Sequence, residues 1–135
     1  MKSNRGFVCS AFDLCHAGHL LMLEECAKHC SYLTVGLHTD PTIDRPESKN
    51  KPIETVYQRY LRLKSNRNVY EIIPYETEED LLVILKGGNY DVRFLGDDYL
   101  SKTDYTGAEL DIPIHYCKRY GYSSSSLRQN IKEAN

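Results

Sequence analysis

Gly6-Phe7-Val8-Cys9-Ser10-Ala11-Phe12-Asp13-Leu14-Cys15-His16-Ala17-Gly18-His19-Leu20-Leu21 is the stretch whose reading decides the fold. Its first six residues are apolar on both faces, as a strand inside a parallel sheet must be. Its end opens a run in which Leu20, Leu21, Leu23, Cys26, Ala27 and Cys30 recur at helical spacing to about His29, whose ring suits the C-terminal dipole. A strand thus hands over to a helix at two histidines that flank a glycine. Main-chain N–H groups point outward at such a turn and the helix dipole favours an anion, so the stretch is suited to holding phosphate. Gly18 lets the main chain approach a ligand closely, and the imidazoles of His16 and His19 can donate to phosphate oxygens. A zinc site built on Cys15 would need an outlying pair of ligands at finger spacing, which the sequence lacks.

Working outward, Tyr32-Leu33-Thr34-Val35-Gly36-Leu37 is a second strand one helix after the first, which makes a right-handed βαβ unit. His38 to Pro52 is polar, with Lys49-Asn50-Lys51 near its end, and leaves the carboxyl end of that strand as a loop. A second helix is expected from Ile53 to Ser65, and a short strand from Tyr70 to Ile73, stopped by Pro74. The acidic turn Thr77-Glu78-Glu79-Asp80 opens a third helix that ends at Gly87-Gly88. Val92 to Leu95 and Ile114 to Cys117 are the last strands, with Gly96-Asp97-Asp98 just past the first of them. Ser123 to Ser126 caps a final helix from about Ser125 to Glu133. Strands alternating with helices predict one α/β domain over residues 1–135. It is a doubly wound, Rossmann-like parallel sheet of about five strands with helices on both faces. Ligands of such sheets sit outside the carboxyl ends of the strands, where every motif named here falls.

The chain has 135 residues and a formal net charge of -2, so no global field draws it onto nucleic acid, and any anion site must be local. No apolar run approaches transmembrane length, and the N-terminus enters a strand without an apolar signal region. Five cysteines, an odd number with no C-x-x-C pair, predict reduced thiols in a cytoplasmic protein rather than a disulfide framework.

Phe12-Asp13-Leu14-Cys15-His16-Ala17-Gly18-His19 resembles the H-x-G-H signature of the nucleotidyltransferase superfamily, and most closely its cytidylyltransferases. The run is similar to the G-T-F-D-L-x-H-x-G-H of the glycerol-3-phosphate cytidylyltransferases. Arg67 to Ile73 resembles their R-Y-V-D-E-V-I, Gly96-Asp97-Asp98-Tyr99 their G-D-D-W, and Gly121-Tyr122-Ser123-Ser124-Ser125 their G-I-S-T-T.

The resemblance implies transfer of CMP from CTP, with Mg²⁺, to a small phosphorylated alcohol, glycerol 3-phosphate by default, with release of pyrophosphate. An attacking phosphate is largely dianionic at neutral pH, so catalysis reduces to positioning and charge stabilisation. His16, His19, Lys49 and Lys51 are the implied catalytic residues. Ser10, Ala11, Phe12, Asp13, Gly18, Arg59, Asp97, Lys118, Arg119, Ser123, Ser124 and Ser125 are the implied nucleotide contacts. No side chain is expected to ligate Mg²⁺ directly, since that ion leans on substrate phosphates. The family also implies a homodimer through Arg67 to Ile73, and neither nucleic acid nor membrane as partner. Four positions depart from the pattern: Ser10-Ala11 stands for G-T, Lys118 for an arginine, and Tyr99 for a tryptophan. They leave two alternatives open, an ATP-using adenylyltransferase of the same fold and a nucleotide-binding module without turnover.

Overall fold

The computed structural model describes residues 4–118 and Ile131. Five strands form one sheet: β1 (Arg5–Ser10), β2 (Tyr32–His38), β3 (Glu71–Tyr75), β4 (Val92–Gly96) and β5 (Ile114–Cys117). They lie in the order β3-β2-β1-β4-β5, all parallel, with Val8 opposite Val35, Ile72 beside Val35, and Leu95 beside Tyr116. Three helices connect them: α1 (Ala17–Lys28), α2 (Val56–Lys64) and α3 (Glu78–Gly87). The chain winds outward from β1 to β3 and returns to the other side of β1 at β4. The direction of winding therefore reverses between β1 and β4, where open α/β sheets bind ligands.

The period-2 alternation of the central strands divides the core in two. Val8, Leu33, Val35, Leu37 and Phe94 pack with Leu23 and Cys26 of α1 and Leu63 of α2 on one face. Phe7, one residue earlier than Val8, packs on the other face with Tyr75, Tyr90, and Leu81 and Leu85 of α3. Helices thus cover both faces, as the apolar strands require. Leu20, Tyr57 and Leu61 are exposed, so the buried stripes of α1 and α2 are narrower than the sequence pattern suggests.

Helix starts follow their capping residues. Thr55 accepts the N–H of Gln58 while Gln58 accepts that of Thr55, and Thr77 and Asp80 do the same for α3. The expectation that Pro74 stops the third strand is corrected: β3 runs through Pro74, opposite Leu37, to Tyr75. Because β3 is an edge strand, alternate N–H groups face no neighbour, and a proline there breaks no ladder. Residues 119–130, with Arg119 and Ser123 to Ser125, lie outside the described residues.

Candidate active site

A cleft of about 470 Å³ opens at the carboxyl edge of the sheet. Its floor comes from Cys9 to Asp13 at the end of β1 and just past it, His38 of β2, Tyr75 of β3 and Phe94 to Gly96 of β4. Its walls are His19 and Met22 of α1, the loop from Pro41 to Pro52, and the segment from Tyr99 to Thr106.

The turn from β1 into α1 is held in an uncommon shape. Phe12, Leu14 and Cys15 all have positive φ (51°, 62° and 24°), and none is glycine. Such residues cost of order 1–3 kcal/mol each and persist where surrounding contacts fix them. Here the contacts are explicit. Asp13, 3% exposed, accepts the N–H of Ile53 at 2.9 Å and of Glu54 at 3.0 Å, and Glu54 in turn accepts the N–H of Leu14 at 2.8 Å. Phe12 is fully packed in the core. The turn ends at His16, whose Nδ1 accepts the N–H of Gly18 at 3.0 Å and caps α1. That bond makes Nδ1 the acceptor and leaves Nε2 to carry the ring proton. His16 stacks on His19 with 3.9 Å between centroids, and His19 leans on Phe12 at 5.2 Å.

Arg59, expected at the nucleotide, belongs to the same framework. Its side chain, 2% exposed, donates to the carbonyls of Glu54, Ala11, His38 and Thr39 at 2.7 to 3.2 Å. The guanidinium is spent on main-chain carbonyls and does not line the cleft. It positions the loops after β1 and β2.

Together with His19, the cations Arg45, Lys49 and Arg93 line the cleft. Arg45 pairs with Glu78 at 2.8 Å, and Glu78 also accepts the hydroxyl of Thr106. Partial burial, with Arg45 and Lys102 nearby, holds the Lys49 ammonium below its usual pKa. Arg93 is buried, donates through Nη1 to the carbonyl of Thr106, and lies over the ring of Tyr105. Tyr105 meets Tyr99 edge to face at 5.7 Å, and Lys102 sits over Tyr99.

Three further groups on the floor are neutral at pH 7. Burial lowers the pKa of His38, so its Nε2–H donates to the carbonyl of Glu76 at 3.1 Å while its ring stacks on Tyr75. Burial raises the pKa of Tyr75 and of Cys9, although Arg93 partly offsets the latter. Cys9 is therefore a packed thiol rather than a nucleophile.

Of the residues expected in the site, Ser10, Ala11, Phe12, Asp13, His19 and Lys49 line the cleft. His16 reaches it through its stack on His19. Gly18 lies in the first turn of α1. Lys51 is exposed in the same loop as Lys49, and Asp97 lies in a 3-10 turn just past β4. Lys118 donates its N–H to Glu25 at 3.2 Å, on the α1 side of β5. His38, Arg45, Tyr75, Glu78, Arg93, Tyr105 and Thr106 were not anticipated. Arg93 alone carried a signal, a charged residue inside the apolar run Val92-Arg93-Phe94-Leu95.

The cytidylyltransferase-like family model matches residues 7–130. The chain belongs to the cytidylyltransferase-like family. Among curated relatives it is 28% identical over 120 residues to glycerol-3-phosphate cytidylyltransferase of Bacillus subtilis, covering 89% of this chain and 91% of that protein. It is 28% identical to ethanolamine-phosphate cytidylyltransferase of Arabidopsis thaliana, covering 79% of this chain and 25% of the relative. It is 30% identical to the bifunctional protein HldE of Helicobacter pylori, covering 93% and 27%. The chain thus spans about a quarter of the length of the last two. The fold is shared with the lipopolysaccharide core biosynthesis protein of Thermoplasma volcanium, at a TM-score of 0.65 and 22% identity over 90% of this chain and all of that one. Among the described residues no helix of this cytidylyltransferase-like chain is long and apolar enough to cross a membrane.

Proposed function

We propose that the protein transfers CMP from CTP to a small phosphorylated alcohol, releasing pyrophosphate and forming a CDP-alcohol. The observation that carries this reading is the stacked pair His16 and His19 at the sheet's switch point, with His19 lining one cleft together with Lys49 and Arg45. A donor pair and cations at one cleft suit a triphosphate held at its α-phosphate.

An oxygen of the acceptor phosphate, already dianionic, attacks the α-phosphorus. The bond from that phosphorus to the bridging oxygen breaks, and pyrophosphate leaves with the electron pair. Ring N–H groups of the two histidines donate to the α-phosphoryl oxygens, where negative charge grows. Lys49 and Lys51, as point charges on the loop after β2, offset charge on the phosphates.

The donor set of the cleft fits Mg²⁺ brought in by the nucleotide. Both Asp13 oxygens accept main-chain N–H groups, and Glu78 holds Arg45 and Thr106. Among the described residues, the three-donor cluster Glu25, His115 and Cys117 lies outside the cleft. When bound, Mg²⁺ would neutralise charge on the leaving phosphates.

The same reading places the protein in the cytoplasm as a homodimer joined through Arg67 to Ile73. Tyr70, 69% exposed, lies there against Tyr32 at 4.8 Å on the β3 side of the sheet. Pyrophosphate release with glycerol 3-phosphate and each of the four nucleoside triphosphates tests the reaction. Turnover with CTP supports it. Turnover with ATP alone makes the protein an adenylyltransferase, and tight CTP binding with no product from any acceptor makes it a binding module.

A further inference from the structure

We propose that Arg93 reads the acceptor: the skeleton of the phosphorylated alcohol carries an uncharged or anionic oxygen group, hydroxyl or carboxylate, that docks on the open edge of this guanidinium. The inference rests on the transfer reaction proposed above, which requires a phosphorylated alcohol but leaves the rest of its skeleton open.

Arg93 is 4% exposed and stands in β4 between residues that pack in the core. Its Nη1 donates to the carbonyl of Thr106, and its Cζ lies 5.4 Å from the Tyr105 ring centroid. Gly107 closes this side. With φ of +82°, its main chain comes so near that an added Cβ would lie 2.9 Å from Nη1. The other edge is open in a chemical sense. Nε is shielded from water and has no hydrogen-bond partner among the described residues. Nor does Arg93 form an ion pair among them, and the cleft's Glu78 is engaged by Arg45 and Thr106.

Besides the Thr106 carbonyl the guanidinium meets the Cys9 thiol, a weak partner, and a buried cation whose Nε stays unsaturated is costly until something completes it. The Nε–Nη2 edge of arginine is the one that grips two oxygens in parallel. Arg93 lines the same cleft as Lys49 and His19, so a group that fills this edge belongs to a molecule lying along the cleft. Charge then selects the group. An ammonium would sit beside Arg93 and Arg45, like against like. A hydroxyl or carboxylate oxygen supplies the missing acceptor. The tyrosines of the wall, Tyr99 and Tyr105, flank this end and suit a short carbon skeleton.

The test compares wild type with R93M and R93K, using CTP and three acceptors: glycerol 3-phosphate, 3-phosphoglycerate and phosphoethanolamine. Steady-state kinetics give kcat and KM, and titration calorimetry of each acceptor gives affinity without turnover. Wild type should prefer one or both oxygen-headed acceptors over phosphoethanolamine by about tenfold or more. R93M should weaken the preferred acceptor by about 10- to 100-fold, the range for loss of a charged hydrogen bond, mainly in KM. Phosphoethanolamine and CTP affinity should change by less than about threefold. R93K, which keeps charge without the fork, should recover part of the loss. Comparison of the two oxygen-headed acceptors separates hydroxyl from carboxylate. Preference for phosphoethanolamine overturns the proposal. So does an equal loss for all three acceptors in R93M, which would assign Arg93 to the shared phosphate or to packing. If no triphosphate is consumed with any acceptor, the transfer reading falls, and calorimetry still decides Arg93. If R93M does not fold, R93K is judged by the same acceptor ratios.

Discussion

His16 and His19 lie face to face, 3.9 Å apart with 18° between ring planes, and one of them is also the cap of the helix that carries the other. Structure and chemistry therefore overlap at His16. H16N separates them, because an asparagine oxygen can accept the Gly18 N–H in place of Nδ1. The expected outcome is stability within about 0.5 kcal/mol of wild type by urea unfolding. Pyrophosphate release should fall roughly 10²- to 10³-fold, as for loss of one preorganised donor. H16A should lose activity similarly and also about 1 kcal/mol of stability.

Arg59 tests whether the cleft mouth is held by one side chain. R59M leaves the carbonyls of Ala11, His38, Thr39 and Glu54 without their donor. Unfolding by urea should show a loss of about 3 kcal/mol or more, since buried acceptors are left unsatisfied. R59K should recover little, because one ammonium cannot span four carbonyls in a planar fork.

His38 gives the protein a pH dependence that can be assigned. Burial lowers its pKa from the ordinary 6.5, so the folded protein holds the neutral ring. The unfolded chain binds the proton more readily, so stability rises with pH wherever the two states differ. The contribution is whole above about pH 6.5 and is lost as pH falls through the lower folded value. Urea midpoints between pH 7.5 and 5.5 should decline in wild type and decline less in H38Q. Equal slopes would remove His38 as the cause.

Tyr70 reports on self-association. Y70E places a charge on the proposed contact without touching the cleft, since Tyr70 is exposed and lies at the start of the edge strand. Light scattering at micromolar concentration should show a dimer for wild type and a monomer for Y70E. A monomeric wild type would remove the dimer from the proposal.

The sheet was legible because each strand is a short apolar run, and α3 because it opens on the acidic turn at Thr77, whereas α2 begins at Val56 behind its cap Thr55, three residues after the expected Ile53. Pro74 misled because a strand's position in the sheet, edge or centre, is fixed by pairing that no local window contains. The turn at Phe12 to Cys15 was legible as the handover from strand to helix but not as a strained one. Three residues of positive φ without glycine depend on Asp13, Ile53 and Glu54, which meet across 40 residues of chain. The same distance effect set the partners of Asp13 and Arg59, the N–H groups of Ile53 and Glu54 for the first and four main-chain carbonyls for the second. Arg93 stands out in the sequence as a charge inside an apolar strand, but only the packing of Tyr105 to Gly107 against it shows which edge of the guanidinium is left over.

One guanidinium, that of Arg59, ties together the exits of β1 and β2 and the approach to α2, while the chain from Leu100 to Pro113 takes no hydrogen bond from it. The segment of Tyr105 and Thr106 hangs instead on Arg93 and on Glu78, which also holds Arg45 of the loop after β2. The frame under the histidines is thus a jig, and that segment a jaw attached to it by side chains. Exchanging residues 100–113 for the corresponding segment of a relative should retune what is gripped without disturbing the jig.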